Sequence, residues 1–219
     1  MQPDLFTPLA DALAISKIRL LMTLRKNGIR SHALLSAMEA VAREQFVPRM
    51  FALQAYEDIP LPISSGQTIN APSIVAKMLD VLELDSRHMV LEVGTGSGYQ
   101  AAIMAKLARR IFTIELQREL RAEAVERLEE IRAYNVTSLI GNGCIGWADA
   151  APFDRIIVTG SMRAVRSELL EQLQEGGIMI IPIGLPTQPQ KLFKITRHHG
   201  EFHRTIITHG MFDPLREDA

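Results

Sequence analysis

The residues with the clearest chemical meaning lie in Leu91-Glu92-Val93-Gly94-Thr95-Gly96-Ser97-Gly98-Tyr99, which closes an apolar run and opens a helical pattern. Gly94 and Gly96 allow a tight turn and a close backbone approach to a ligand, and Gly98 allows close packing where the helix starts. Alone, such a turn is an ordinary strand-to-helix connection. Glu115 ends the next apolar run, about twenty residues on, where a carboxylate can accept hydrogen bonds from both hydroxyls of a ribose. Loop and acid together indicate a nucleoside site built from Gly94, Thr95, Gly96, Ser97, Gly98 and Glu115.

The spacing of the loop narrows the nucleoside. It reads G-x-G-x-G rather than the G-x-G-x-x-G of a dinucleotide site. Glu92, just ahead, would repel a pyrophosphate and favour a cationic aminoacyl group. S-adenosylmethionine carries a sulfonium and an ammonium and has no phosphate, so the loop favours that methyl donor over NAD.

These residues need a scaffold, and the pattern from His88 onward supplies one. Apolar runs at 89–93, 111–114, 136–140, 156–159 and 178–183 alternate with amphipathic helical stretches through Ala101 to Leu107, Leu120 to Ile131 and Val165 to Leu173. Continuous apolar strands separated by such helices predict a doubly wound α/β fold with a mostly parallel sheet covered on both faces. After Pro186 the alternation stops. Runs at 192–195 and 202–208 around Gly200 predict an antiparallel edge. The front third reads as a helical extension. Leu9, Leu13, Leu20, Leu21 and Leu24 mark a first helix that Asn27-Gly28 stops. Ser31 caps a second helix carrying Leu34, Leu35, Met38 and Val41. Pro48, Pro60 and Pro62 keep the following chain extended. Asn70 and Pro72 then begin a helix with Val75, Met78, Leu79 and Leu82 on one face. The expected division is an N-terminal helical extension and substrate-side cover at 1–87 and a core at 88–219, forming one compact unit.

Composition excludes several function classes. The net charge is −1, so no global field recruits nucleic acid or an anionic membrane. The single cysteine, Cys144, rules out an internal disulfide or a CxxC motif and fits a reducing compartment. It reads as a packing residue. The six histidines, His198-His199 included, lack metal-ligand spacing, and no metal is expected. Met1 to Pro8 contain Asp4 and two prolines instead of a basic start and an apolar run, so no secretory leader is expected. No apolar stretch approaches the roughly 18 residues of a membrane span. A cytoplasmic monomer without nucleic-acid or membrane partners is the expectation.

Five further stretches extend the pattern of the loop: Arg43-Glu44-Gln45-Phe46-Val47-Pro48, Tyr56-Glu57-Asp58-Ile59-Pro60-Leu61-Pro62-Ile63, Gly66-Gln67-Thr68-Ile69, Ala151-Pro152-Phe153-Asp154, and Leu169-Leu170-Glu171-Gln172-Leu173 leading to Gly176-Gly177 and Ile181-Pro182-Ile183-Gly184. With Leu91 to Ala102 they resemble the bacterial protein-L-isoaspartate O-methyltransferase family over roughly residues 20–215. Many methyltransferases share the glycine loop, whereas the Pro-Leu-Pro-Ile and Gly-Gln-Thr-Ile segments are more specific. The resemblance implies a Rossmann-like fold, S-adenosyl-L-methionine as donor, S-adenosyl-L-homocysteine as product, and isoaspartyl-containing proteins and peptides as substrates. The acceptor would be the free carboxylate of a damaged residue, whose ester re-cyclises and gives another chance of normal aspartate. The resemblance also places Thr68 and residue 70 at the reacting centre.

Three positions depart from the family. Its Gln-Thr-Ile-Ser, whose serine is the active-site residue, is here Gln67-Thr68-Ile69-Asn70. Asn70 can still donate and accept hydrogen bonds, and reads equally as a helix cap before Pro72. The family's Gly-Asp-Gly is here Gly141-Asn142-Gly143, so that the adenine amino group would meet the neutral carbonyl of Asn142 beside Gly143. A small alanine-rich loop after the fourth strand is here Thr159-Gly160-Ser161-Met162-Arg163, with Arg163 read as a solvated arginine. The departures keep two rivals open: a related methyltransferase with another acceptor, and a nucleoside-binding member without catalysis. An NAD oxidoreductase is opposed by the glycine spacing.

Overall fold

The structure, a computed structural model, describes residues 7–216, and at 7–9 the backbone alone. The expectations for Leu9 as a core residue and for Met1 to Pro8 therefore fall outside the described side chains. A seven-stranded sheet has the order β5-β4-β3-β6-β7-β8-β9, with β3 at Met89–Val93, β4 at Arg110–Glu115, β5 at Val136–Ile140, β6 at Phe153–Val158, β7 at Leu173–Ile183, β8 at Gln190–His198 and β9 at Glu201–Gly210. The first five strands in that order pair in parallel, while β7–β8 and β8–β9 are antiparallel. The doubly wound sheet and its antiparallel edge are both present. The chain winds outward from β3 through β4 to β5, then returns to β6 on the other side of β3. Ligand crevices of open α/β sheets form at such a reversal, beyond the carboxyl ends of the strands.

Strand residues alternate between two covered faces, as period two requires. Val90, Ile111, Ile157, Ile178 and Ile180 face one core with Leu24, Leu34, Val75, Ile103 and Leu128. Leu91, Val93, Ile156, Val158, Met179 and Ile181 face a second core with Leu169 and Cys144. The first cover consists largely of α1 (Thr7–Lys26), α2 (His32–Ala40), α3 (Pro72–Leu82), α4 (Tyr99–Ala105) and α5 (Arg118–Glu130). Ser31 caps α2 through a 3.2 Å bond from Leu34 N–H to its Oγ, and Gly28, at φ +99°, ends α1. Leu34, Leu35, Met38 and Val41 are all buried, as are Val75, Met78, Leu79 and Leu82 on α3.

Two helix boundaries differ from the sequence pattern. The helix expected through Leu173 is α6, only Ser167–Glu171. Phe153 N–H donates to Gln172 O and Leu173 pairs with Phe153, so the strand captures the residues that would have added a turn. β7 then bulges through 174–177, with Gly176 at φ +75°, before Ile178 resumes the ladder opposite Arg155. The second difference concerns Asn70. Pro72 is the first residue of α3, and the cap position falls to Ala71, which makes no side-chain cap bond. Asn70 is therefore no helix cap. The extended chain before it folds as a short antiparallel hairpin, β1 (Leu61–Pro62) with β2 (Thr68–Ile69), around a turn where Ser65 has φ +58°.

Candidate active site

One cavity sits at the carboxyl ends of β3 and β4. Its wall includes Gln67 to Asn70 from the hairpin, Val93 to Ser97 from the glycine loop, Ile114 to Gln117 and Leu120 from β4 and α5, Gly143, Thr159-Gly160, and Asp213 to Arg216. The structure thus brings Thr68, Asn70, Gly94, Thr95, Gly96, Ser97, Glu115 and Gly143 together. Gly98 lies just behind, opening α4 at φ +88° with the backbone of Ala124 close against it.

The glycine loop is held by its own backbone. Gly94 and Thr95 N–H donate to Ile114 O, Gly98 N–H to Thr95 O, and Gly96 N–H to Glu115 Oε2 at 2.9 Å. Gln117 N–H donates to the other oxygen, Oε1, at 3.0 Å. With these donors already engaged, the loop offers no row of free N–H groups to a pyrophosphate. The Glu115 carboxylate is fixed at both oxygens yet still lines the cavity, and its remaining lone pairs suit a vicinal diol.

Glu92 stands in β3, just ahead of the glycine loop. Its side chain is fully buried and is not part of the cavity wall. Oε2 lies 2.6 Å from Thr113 Oγ1, which is 2.6 Å from Thr95 Oγ1, and Oε1 has no partner. The physical reason is strand parity: Glu92 faces the same side as Val90, beneath the helices, while Val93 faces the other. Burial pushes its carboxyl up to about 8, so it supplies little negative charge at neutral pH. Through Thr113 its side chain is linked to Thr95 of the glycine loop. The folded protein holds this proton until about pH 8, whereas an ordinary glutamate releases it near 4.5. The stability gained is complete below the lower value and lost as pH rises through the upper one. A melting series from about pH 5 to about pH 9 should show wild type losing more stability than Glu92→Gln. Parallel curves would mean that Glu92 is ionised throughout.

Asn142 also serves the local chain. Its Oδ1 accepts from Cys144 N–H at 2.9 Å, capping a short 3-10 turn at Gly143–Ile145, and the cavity wall takes in Gly143 but not Asn142. Gly143 is needed for space, since a Cβ there would stand 2.5 Å from Val93 Cγ1. Cys144 is buried with Val93 and Ile114. Arg163 is exposed and outside the cavity wall, and His198-His199 form the exposed β8–β9 turn. Among the described residues no group of three or more His, Cys, Asp or Glu could hold a metal ion.

On the acceptor side, Asn70 Nδ2 reaches Thr159 O at 3.4 Å, and Asn70 O accepts from Arg43 Nη2 at 2.9 Å. Arg43 is fully buried, donates also to Ala55 O, and stands 5.7 Å over the Tyr99 ring, so it ties the hairpin's flank to α4. Thr159 Oγ1 donates to Gly94 O at 2.7 Å and Val93 O at 3.1 Å, which fixes the loop after β6 against the glycine loop. Sequence reasoning assigned neither Gln117 nor the C-terminal residues Asp213 to Arg216 to the site. Gln117 had a signal, its place two residues after Glu115. The C-terminal strap had none, because only the folded sheet brings it beside residue 68.

Fold and cavity define the Rossmann-like class of S-adenosylmethionine-dependent methyltransferases. The model of the family protein-L-isoaspartate(D-aspartate) O-methyltransferase matches residues 15–219, and the chain belongs to that family. It is 49% identical over 203 residues to a protein-L-isoaspartate O-methyltransferase of Parvibaculum lavamentivorans, covering 92% of this chain and 91% of the relative. One of Rhodospirillum centenum is 45% identical, with 94% of each covered. Among solved structures, a protein-L-isoaspartate O-methyltransferase superposes with a TM-score of 0.81 at 27% identity over 90% of this chain, which spans 65% of that protein's length. A structure assigned to the Plasmodium falciparum enzyme, in complex with S-adenosyl-L-homocysteine, gives 0.80 at 25% identity, covering 91% and 98%.

Proposed function

We propose that this protein is a protein-L-isoaspartate (D-aspartate) O-methyltransferase, transferring a methyl group from S-adenosyl-L-methionine to the free carboxylate of isoaspartyl residues in damaged proteins. The observation that carries this reading is the meeting of the hairpin's Thr68 and Asn70 with the glycine loop and Glu115 on one cavity. The residues fit the donor: Glu115 suits its ribose, the apolar wall of Ile114, Leu116, Leu120 and Gly143 suits its adenine, and the engaged loop leaves no phosphate cradle. When bound, the donor supplies an electrophilic methyl group on a sulfonium. A carboxylate with a pKa of about 4 is already ionised at neutral pH, so the protein needs no general base. Its task is alignment, which in favourable cases is worth roughly 7–11 kcal/mol of barrier. Thr68 N–H, Thr68 Oγ1 and Asn70 Nδ2 are the donors placed to orient the acceptor.

Residues 1–87 act in this reading as the acceptor-side cover of the 88–219 core. The hairpin's place on the cavity supports that role, and the core shared from Leu24 to Ile180 supports packing of the two parts as one compact unit. We also infer a cytoplasmic monomer that engages isoaspartyl proteins and neither nucleic acid nor membrane, supported by a net charge of −1 and a lone buried cysteine. No helix among the described residues is long and apolar enough to cross a membrane.

Single-turnover methylation of an isoaspartyl peptide by wild type, Asn70→Ser and Asn70→Ala tests the site. Wild type should transfer. The serine form should transfer faster, since its shorter side chain no longer reaches toward Thr159 O and leaves a hydroxyl for the acceptor. The alanine form should lose on the order of a hundredfold in rate, the scale of a misplacement of about 1 Å. Melting temperatures should barely move, because Asn70 caps nothing. Equal rates in all three proteins would remove residue 70 from the chemistry, and no transfer by any would remove the assigned acceptor.

A further inference from the structure

The acceptor side of the cavity already holds a carboxylate. Asp213 Oδ2 accepts from Thr68 N–H at 2.9 Å and from Thr68 Oγ1 at 2.8 Å. Asp213 belongs to the strap that follows β9, and its backbone is fixed on both sides. Phe212 is buried and its N–H donates to Gln190 Oε1 at 2.9 Å. Asp213 O accepts from Ser161 N–H at 2.8 Å, and Leu215 N–H donates to Ser161 O at 2.9 Å. The strap is latched again at its end, where the Gln67 amide, oriented to accept, receives Arg216 Nη2 at 3.2 Å. The carboxylate is thus presented to Thr68 by a fixed backbone, and only its side-chain torsions are free to move it.

A backbone N–H and a hydroxyl converging on one oxygen form a carboxylate-binding device. They are also the donors that the proposed reaction needs for its acceptor, and the inference rests on that reading. One pair of donors cannot hold two carboxylates, and two like charges in one site repel. We infer that Asp213 is a specificity-determining residue: it occupies the Thr68 carboxylate subsite in the acceptor-free protein, and the acceptor carboxylate displaces it by rotation of its side chain. Displacement leaves the Asp213 charge at the mouth, beside the residues that flank the isoaspartyl group. Peptides with a basic flank pair with that charge, and peptides with an acidic flank meet repulsion.

The test uses the full-length protein with saturating S-adenosyl-L-methionine and three isoaspartyl peptides that differ only in a basic, neutral or acidic flank. Asp213→Ala should lower KM for the neutral peptide by about tenfold, the scale of one freed charge-assisted hydrogen bond. The preference of wild type for the basic over the acidic flank should collapse with it. Asp213→Asn, which keeps an acceptor oxygen but no charge, should fall between the two on KM and lose the flank preference as fully as alanine. A fall in kcat with KM raised or unchanged in both variants, with donor affinity intact, would overturn the inference and make Asp213 a brace for Thr68. Unchanged KM and an unchanged flank preference would overturn it by removing Asp213 from the acceptor's path, while the methyltransferase reading stands. No methylation of any peptide by wild type or by either variant would instead strike the acceptor assignment itself.

Discussion

Glu115→Ala should weaken S-adenosyl-L-methionine and its demethylated product by about ten- to a hundredfold. The carboxylate ends β4 at the cavity, with Oε2 on Gly96 N–H and Oε1 on Gln117 N–H. It therefore holds two backbone segments as well as offering lone pairs to a ribose. Hydrogen bonds to a charged group contribute roughly 1.5–3 kcal/mol, which sets the ten- to hundredfold range. Glu115→Gln separates the two contributions, because an amide oxygen can replace only one of the two acceptors and its NH2 faces a backbone N–H. Calorimetry on the three proteins measures this, with alanine weakest and glutamine between. An unchanged dissociation constant in Glu115→Ala would mean that another group holds the ribose.

Gly94→Ala should be at least as damaging, and for a different reason. Gly94 has φ +91°, a conformation that side-chain-bearing residues rarely adopt, and a Cβ there would collide with Thr159 Oγ1. That hydroxyl holds Gly94 O and Val93 O, so relief of the collision breaks the tie between the loops after β3 and β6. Strained backbone of this kind costs on the order of 1–3 kcal/mol, and a glycine loop shifted by about 1 Å should lower transfer on the order of a hundredfold. Combining Gly94→Ala with Thr159→Ala removes the collision but leaves the strained φ. Partial recovery of transfer in the double variant is the expected result. Wild-type melting and wild-type transfer in Gly94→Ala would show that the loop tolerates a side chain.

The parallel sheet was legible because its central strands are covered on both faces and so read as largely apolar runs, interrupted by Glu92 in β3 and Thr113 in β4. Val90 to Val93 and Ile156 to Val158 are buried without interruption. The β1–β2 hairpin was not legible, since its strands have two residues each and one of those residues is Pro62. What the sequence shows there is only the absence of helix. Asn70 was placed one residue too early for a cap, because Pro72 as first helical residue gives the cap to Ala71. The sequence shows Glu92 as a charge beside the loop, while its burial next to Thr113 is set by strand parity and the pairing of β3 with β4. Asp213 lies more than a hundred residues from the glycine loop and reaches Thr68 only through the order of the sheet. The glycine loop and Glu115 are close in sequence, so their meeting on one cavity could be read; the contacts of the hairpin with the C-terminal strap are long-range and could not.

The acceptor proposed for this cavity is an isoaspartyl carboxylate. Incubation of the protein with methyl-labelled S-adenosyl-L-methionine and two peptides, identical except for one isoaspartyl or one normal aspartyl linkage, measures it directly. Base-labile label is expected on the isoaspartyl peptide and none on its twin. Equal labelling of both, or label only on other acceptors, would contradict it.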